Sequence, residues 1–167
     1  MDYSPFLRRL PRPPGFSAPT ELLHEDLVAR AITRADLDDD VRGINASLAL
    51  ISRTRGGGWP SGPVTAEGNF TDLVWHEVEW RDGDSFTYVV RYADGAYVGC
   101  AYLYPMGRRT TLSAELLAHD VDVSWWVTPA AYARGDYRKL HRALRGWLAE
   151  RFPFAAPYYS NAEIPPD

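Results

Sequence analysis

The sequence predicts an α/β (α+β) domain in which a mixed, mainly antiparallel sheet carries helices on both faces. Two stretches repeat apolar residues at helical spacing: Leu37, Val41, Ile44, Leu48 and Ile51, then Tyr137, Leu140, Leu144, Trp147 and Leu148. Between them, residues 85–92, 96–104 and 120–127 turn to β-branched and aromatic residues, as strands do. Hydrophobic residues make up 46% of the 167 positions, with six Trp and ten Tyr, which argues against disorder. A chain of this length buries roughly 70% of the surface its unfolded form exposes, enough for one domain with a real core.

Taken in order, residues 1–22 hold five prolines (5, 11, 13, 14 and 19) and read as an extended arm. The domain proper is expected over residues 23–161. Residues 27–32 form its first strand. Thr33 and Asp36 make a capping box that starts the first helix. The glycine- and proline-rich run 56–63 ends that helix and forms a loop. Thr65 caps a second helix reaching about Arg81, with Phe70, Leu73 and Trp80 on one face and His76 and Glu77 beside it. Asp94-Gly95 signals a hairpin turn between strands 85–92 and 96–104. A strand at 120–127, a third helix and a last short strand at 155–160 complete the order. The strand–helix–strand unit at 120–160 is expected to be a right-handed crossover. Residues 162–167 carry two prolines and are expected to fray.

Composition narrows the function classes. The net charge of −4 gives no reason to expect a nucleic-acid partner. The single cysteine, Cys100, cannot form an internal disulfide, which suits a reducing compartment; it reads as a small buried hydrophobe. No run of about 20 apolar residues offers a membrane span, and the N-terminus has no signal-peptide pattern. A cytoplasmic protein is expected. His24, His76, His119 and His141 lack short metal-ligand spacings, so no metal is expected. The Gly56-Gly57-Gly58 run is not a phosphate loop, since no Lys-Ser/Thr follows.

The element order, the hairpin segment Val98-Gly99-Cys100-Ala101-Tyr102-Leu103 and the strand ending Trp126-Val127-Thr128-Pro129 resemble the Gcn5-related N-acetyltransferase (GNAT) superfamily. More narrowly, the Trp59-Pro60, Trp75-His76-Glu77, Ser85-Phe86, Gly99-Cys100 and Trp147-Leu148 blocks resemble small bacterial acetyltransferase-like members of that group. The resemblance implies a GNAT-like fold, acetyl-CoA as acyl donor and a small-molecule amine as acceptor. It also exposes two departures. The loop Pro129 to Tyr137 has one glycine where the family's pyrophosphate signature has two, so Arg134-Gly135 is a fragment of it. Asp136 stands at the helix start, where a carboxylate repels a pyrophosphate. The chain also stops soon after the fifth family strand, implying a shortened C-terminal lobe; a homodimer through the uncovered sheet edge is one way to fill it.

On that resemblance, the acceptor side draws on His76 and Glu77 of the second helix and Asp122 and Ser124 of the strand. A histidine that titrates near neutrality suits a general base. The ordinary accounts are a helix-surface histidine, a solvated glutamate and an exposed strand face. The cofactor side draws on backbone groups near Trp126 and Val127, and on Arg134, Gly135 and Arg138 for phosphate. Two functions stay open: an acyl-CoA-dependent N-acetyltransferase, or a non-catalytic GNAT-fold module that binds a ligand or serves as a dimeric accessory protein.

Overall fold

The computed structural model describes residues 9–166. The chain forms strands β1 (Glu21–His24) and β2 (Leu27–Ala31), then helices α1 (Leu37–Ala46), α2 (Leu48–Thr54) and α3 (Ala66–Asp82). The hairpin β3 (Phe86–Tyr92) and β4 (Tyr97–Tyr104) follows, then β5 (Val121–Val127), α4 (Pro129–Ala133), α5 (Asp136–Arg151) and β6 (Pro157–Tyr159). The six strands make one sheet in sequence order, antiparallel throughout except for the β5–β6 pair, which is parallel. No helix among the described residues is long and apolar enough to cross a membrane.

Strand alternation divides the core in two. Val121, Val123, Trp125 and Val127 point to the α5 side with Tyr88, Val90 and Leu103. Trp126 points to the α1–α3 side with Val89, Cys100 and Tyr102. Period two then puts Asp122 and Ser124 on that second side, both fully buried, so the exposed strand face expected for them is not observed. All five apolar residues of the α5 stripe are buried. Gly99 is what lets β4 and β5 meet there: a Cβ on it would lie 2.0 Å from the Trp126 carbonyl oxygen.

Four local expectations change. Residues 21–24, which straddle the expected boundary between arm and domain, form an edge strand that buries Leu22 and leaves Leu23 in solvent; four residues behind a proline-rich run carry too little pattern to read. The arm itself is anchored by buried Leu10 and by Phe16 against Phe152; residues 1–8 lie outside the described part. The first helix breaks at Ser47, whose Oγ donates back to the Gly43 carbonyl at 2.6 Å. On α3, Asn69 is buried in place of Phe70, donating to Asp40 Oδ2 at 2.8 Å. The tail 162–166 is held: Ala162 N–H donates to the Arg55 carbonyl and Glu163 N–H to that of Thr54. The Thr33–Asp36 capping box forms over a 3-10 turn, Thr65 caps α3, and Gly83 ends α3 in the left-handed conformation.

Candidate functional site

A cavity of about 490 Å³ opens between the α1–α3 layer and the sheet. Its walls come from α3 (Asn69, Asp72, Leu73, His76, Glu79), the end of α2 (Arg55), and β3 and β4 (Thr87, Tyr102, Tyr104). Trp59 and the two arginines after β4, Arg108 and Arg109, close it. The helical spacing of residues 69, 72, 73, 76 and 79 is what turns five α3 side chains toward one space.

His76 sits in this wall with its side chain 16% exposed. Its Nδ1 is 3.1 Å from Thr87 Oγ1 and 3.9 Å from Glu79. Burial lowers its pKa to about 4; nearby Arg108 and Arg55 push the same way and Glu79 opposes them. The ring is therefore neutral at physiological pH. Glu79 is tied to Arg108 at 2.7 Å and accepts from Ser85 Oγ at 2.8 Å. Arg108 in turn lies over the Tyr104 ring at 4.3 Å.

Arg55 is the most buried cation of the cavity, 5% exposed. Its guanidinium lies over Tyr102 at 4.3 Å and Trp59 at 5.3 Å, and its Nε donates to Ser124 Oγ at 3.2 Å. Arg109 fixes the backbone beneath it, donating to the carbonyls of Arg55 and Gly56 and to Ser160. The glycine loop is thereby held at Gly56. On the acidic side, Asp40 accepts from Tyr97 Oη at 2.6 Å and from Asn69. Burial and the Asp40 charge raise the pKa of Asp72.

Of the four acceptor-side residues picked from sequence, only His76 lines the cavity. Glu77 is turned away onto Arg34, with Nε at 2.9 Å and Nη2 at 2.5 Å, and that hydrogen bonding lowers its pKa. Asp122 accepts from Ser160 and Thr110 inside the protein. Ser124 reaches the cavity only through Arg55. The cavity also holds Glu79, Arg55 and Tyr102; a place one turn of α3 beyond His76 is the only sequence signal for Glu79, and nothing in the sequence marks Arg55 as buried.

The other candidate region is where β5 runs into α5. Pairing of β5 with β6 ends at Val123 opposite Tyr159. Beyond it the Asn161 side chain satisfies the strand edge, accepting from Trp125 N–H at 3.1 Å and donating to its carbonyl at 2.9 Å. Trp126 donates through Nε1 to Tyr102 Oη at 2.9 Å, and Val127 is buried opposite Gly99. The segment read as a loop contains the one-turn α4, capped by Thr128 with Pro129 at its first position. Gly135 follows in the left-handed conformation, φ 86°, and no side chain caps the N-terminus of α5.

Asp136 is turned into the protein. It is 1% exposed; Tyr92 Oη donates to it at 2.5 Å, and Lys139 Nζ lies 2.9 Å from its other oxygen. The expected repulsion is thus removed by burial and a matched cation. Arg134 lies over the Tyr92 ring at 4.3 Å, 3.6 Å from Asp136 and 3.7 Å from Asp26. Arg138 is exposed on α5.

No protein-family model and no curated protein matches the sequence. Solved structures do match in fold. The ribosomal L7/L12 alpha-N-protein acetyltransferase RimL, in complex with coenzyme A, superposes with a TM-score of 0.60 at 14% identity, over 80% of this chain and 67% of that one. The ribosomal-protein-S5-alanine acetyltransferase of Vibrio fischeri gives 0.58 at 13%, over 78% and 67%. The microcin C7 self-immunity acetyltransferase MccE, in complex with acetyl-CoA and AMP, gives 0.58 at 8%, over 77% and 67%. The chain spans about two thirds of the length of each.

Proposed function

We propose, for a chain with the GNAT fold, that it is an acyl-CoA-dependent N-acyltransferase whose acceptor amine occupies the 490 Å³ cavity. The observation that carries this reading is the position of β5. Two cavity residues, Arg55 and Tyr102, hydrogen-bond to its Ser124 and Trp126, while its end leads through Thr128 into the uncapped start of α5. One strand therefore links the cavity to the uncapped helix end that this reading assigns to the donor's phosphates. The volume falls within the roughly 300–1,000 Å³ of small-molecule sites, which favours a small amine.

The residues fit the donor. Gly135 has open space where a Cβ would stand, and the α5 N–H groups carry no side-chain cap. Arg134 and Arg138 add positive charge beside them. Bound acetyl-CoA would supply the activated acyl group; the protein's part is binding, orientation and proton handling. His76, with a pKa of about 4, is too weak to strip an alkylammonium. A lysine-like amine at about 10.4 lies some six units higher, roughly 8 kcal/mol uphill. The amine must therefore enter neutral. His76 suffices only after attack, when the nitrogen is becoming an amide and its proton is strongly acidic. That role requires Nδ1–H donating to Thr87, leaving Nε2 to accept.

Thiol release from acetyl-CoA across a panel of primary amines tests this. The expected kcat/KM rises with deprotonation of the acceptor's ammonium form, without an inflection near pH 6.5, and His76→Ala lowers kcat about 10²–10⁴-fold. No turnover with any amine would favour the non-catalytic ligand-binding reading, to which Asn161 on the β5 edge lends support.

A further inference from the structure

We infer that Arg55 is an anion anchor, and that the cavity's ligand carries a carboxylate which pairs with its guanidinium. A buried cation ordinarily has a carboxylate beside it, because removing charge from water is costly. Arg55 has none among the described residues: its contacts are one serine hydroxyl and two aromatic faces. Among the described residues no carboxylate lies within ion-pair distance of Arg55, and of the nearby ones only Glu79 is itself ion-paired while Asp122 and Asp40 bond neutral groups. Glu79 is on Arg108, Asp122 on Ser160 and Thr110, and Asp40 on Tyr97 and Asn69. Arg108 and Arg109 line the same cavity, and Arg55 acts against protonation of both His76 and Arg109. A positive, water-poor corner of a roomy cavity is left to be neutralised by what enters it.

The anchor is held ready for this. Arg109 and the Ala162 N–H grip the Arg55 carbonyl, and the Tyr102 and Trp59 rings fix the guanidinium plane. A planar carboxylate matches a guanidinium fork through two parallel hydrogen bonds. Asp40, Asp72 and Glu79 line the same cavity, so a phosphate dianion meets more repulsion than a single negative charge. The aromatic walls suit an apolar body behind the carboxylate. This rests on the proposed acyl transfer only in calling the ligand an acceptor, which would then be an amine that also bears a carboxylate.

The test uses the full chain without any CoA compound. Acetate, benzoate and 3-phenylpropionate are each titrated against their primary amides, and inorganic phosphate is run as a separate arm, by calorimetry and by NMR of the Trp59 indole N–H. At least one acid should bind ten-fold or more tightly than its amide and more tightly than phosphate, and should shift the Trp59 signal. Arg55→Met should abolish that preference while unfolding at the same denaturant concentration or higher, because a buried cation without a carboxylate partner costs the fold its desolvation and Met keeps the packing. Arg55→Lys should keep part of it. Equal affinity of every acid and amide, tighter binding of phosphate, or unchanged binding in Arg55→Met would overturn the assignment. So would marked destabilisation of Arg55→Met, which would make the arginine structural. Carboxylate binding without any acyl transfer would leave this inference standing and sink the transferase reading.

Discussion

Replacing Trp125 with alanine is expected to lower the unfolding free energy by about 3–5 kcal/mol, the range for deleting a large buried aromatic side chain. Trp125 is fully buried in the middle of β5. Its ring stacks on His141 with centroids 4.9 Å apart and planes 7° from parallel, and packs on Tyr137 at 5.2 Å. Its Nε1 donates to the Tyr137 carbonyl at 3.2 Å, stitching the sheet to α5. Alanine removes the ring and leaves a void that a strand pinned on both edges cannot collapse to fill. Trp125→Phe keeps the packing but not the hydrogen bond, and should cost clearly less. Urea unfolding followed by circular dichroism measures both. A loss below about 1 kcal/mol for the alanine variant would mean that α5 is not docked through this residue.

Acid should unfold the protein partly through His76. Its pKa is about 4 in the folded chain and near 6.5 when unfolded. Between those values the unfolded state binds a proton that the folded state does not, so stability rises with pH across the window and falls as pH drops from about 6.5 to 4. The difference is worth about 3 kcal/mol at 1.36 kcal/mol per unit. Asp36 does not confuse this window. Burial pushes its pKa up, but the Thr33 N–H and the Arg30 and Arg91 guanidinium groups outweigh that and hold it below the usual carboxylate value. Its contribution is therefore lost only at still lower pH. Unfolding free energies of the wild type and His76→Gln at pH 7, 5.5 and 4 should converge toward the acid end. Parallel curves would place His76 in water.

The larger elements were legible because their patterns are long. The stripe on α5, the β-rich run of β3 and β4 with Asp94-Gly95 between them, and the Thr65 cap all read directly. Short elements were not. β1 has four residues on an edge, and α4 is a single turn inside what looks like loop chemistry. The candidate site was legible only at His76. Glu77 and Glu79 are two residues apart on one helix, and sequence does not say that Arg34 takes the first. Asp136 looked hostile to phosphate because its direction depends on Tyr92, 44 positions earlier. Nothing in the sequence marks Arg55, since its burial is created by Tyr102, Trp59 and Ser124 from three other segments.

The donor site is the part on which the transferase reading stands, and calorimetric titration with acetyl-CoA tests it most directly. Saturable binding, weakened by Arg134→Ala with Arg138→Ala, is the result expected if the uncapped start of α5 and the end of β5 hold the thioester. No heat at millimolar acetyl-CoA, from protein shown to be folded, would contradict it.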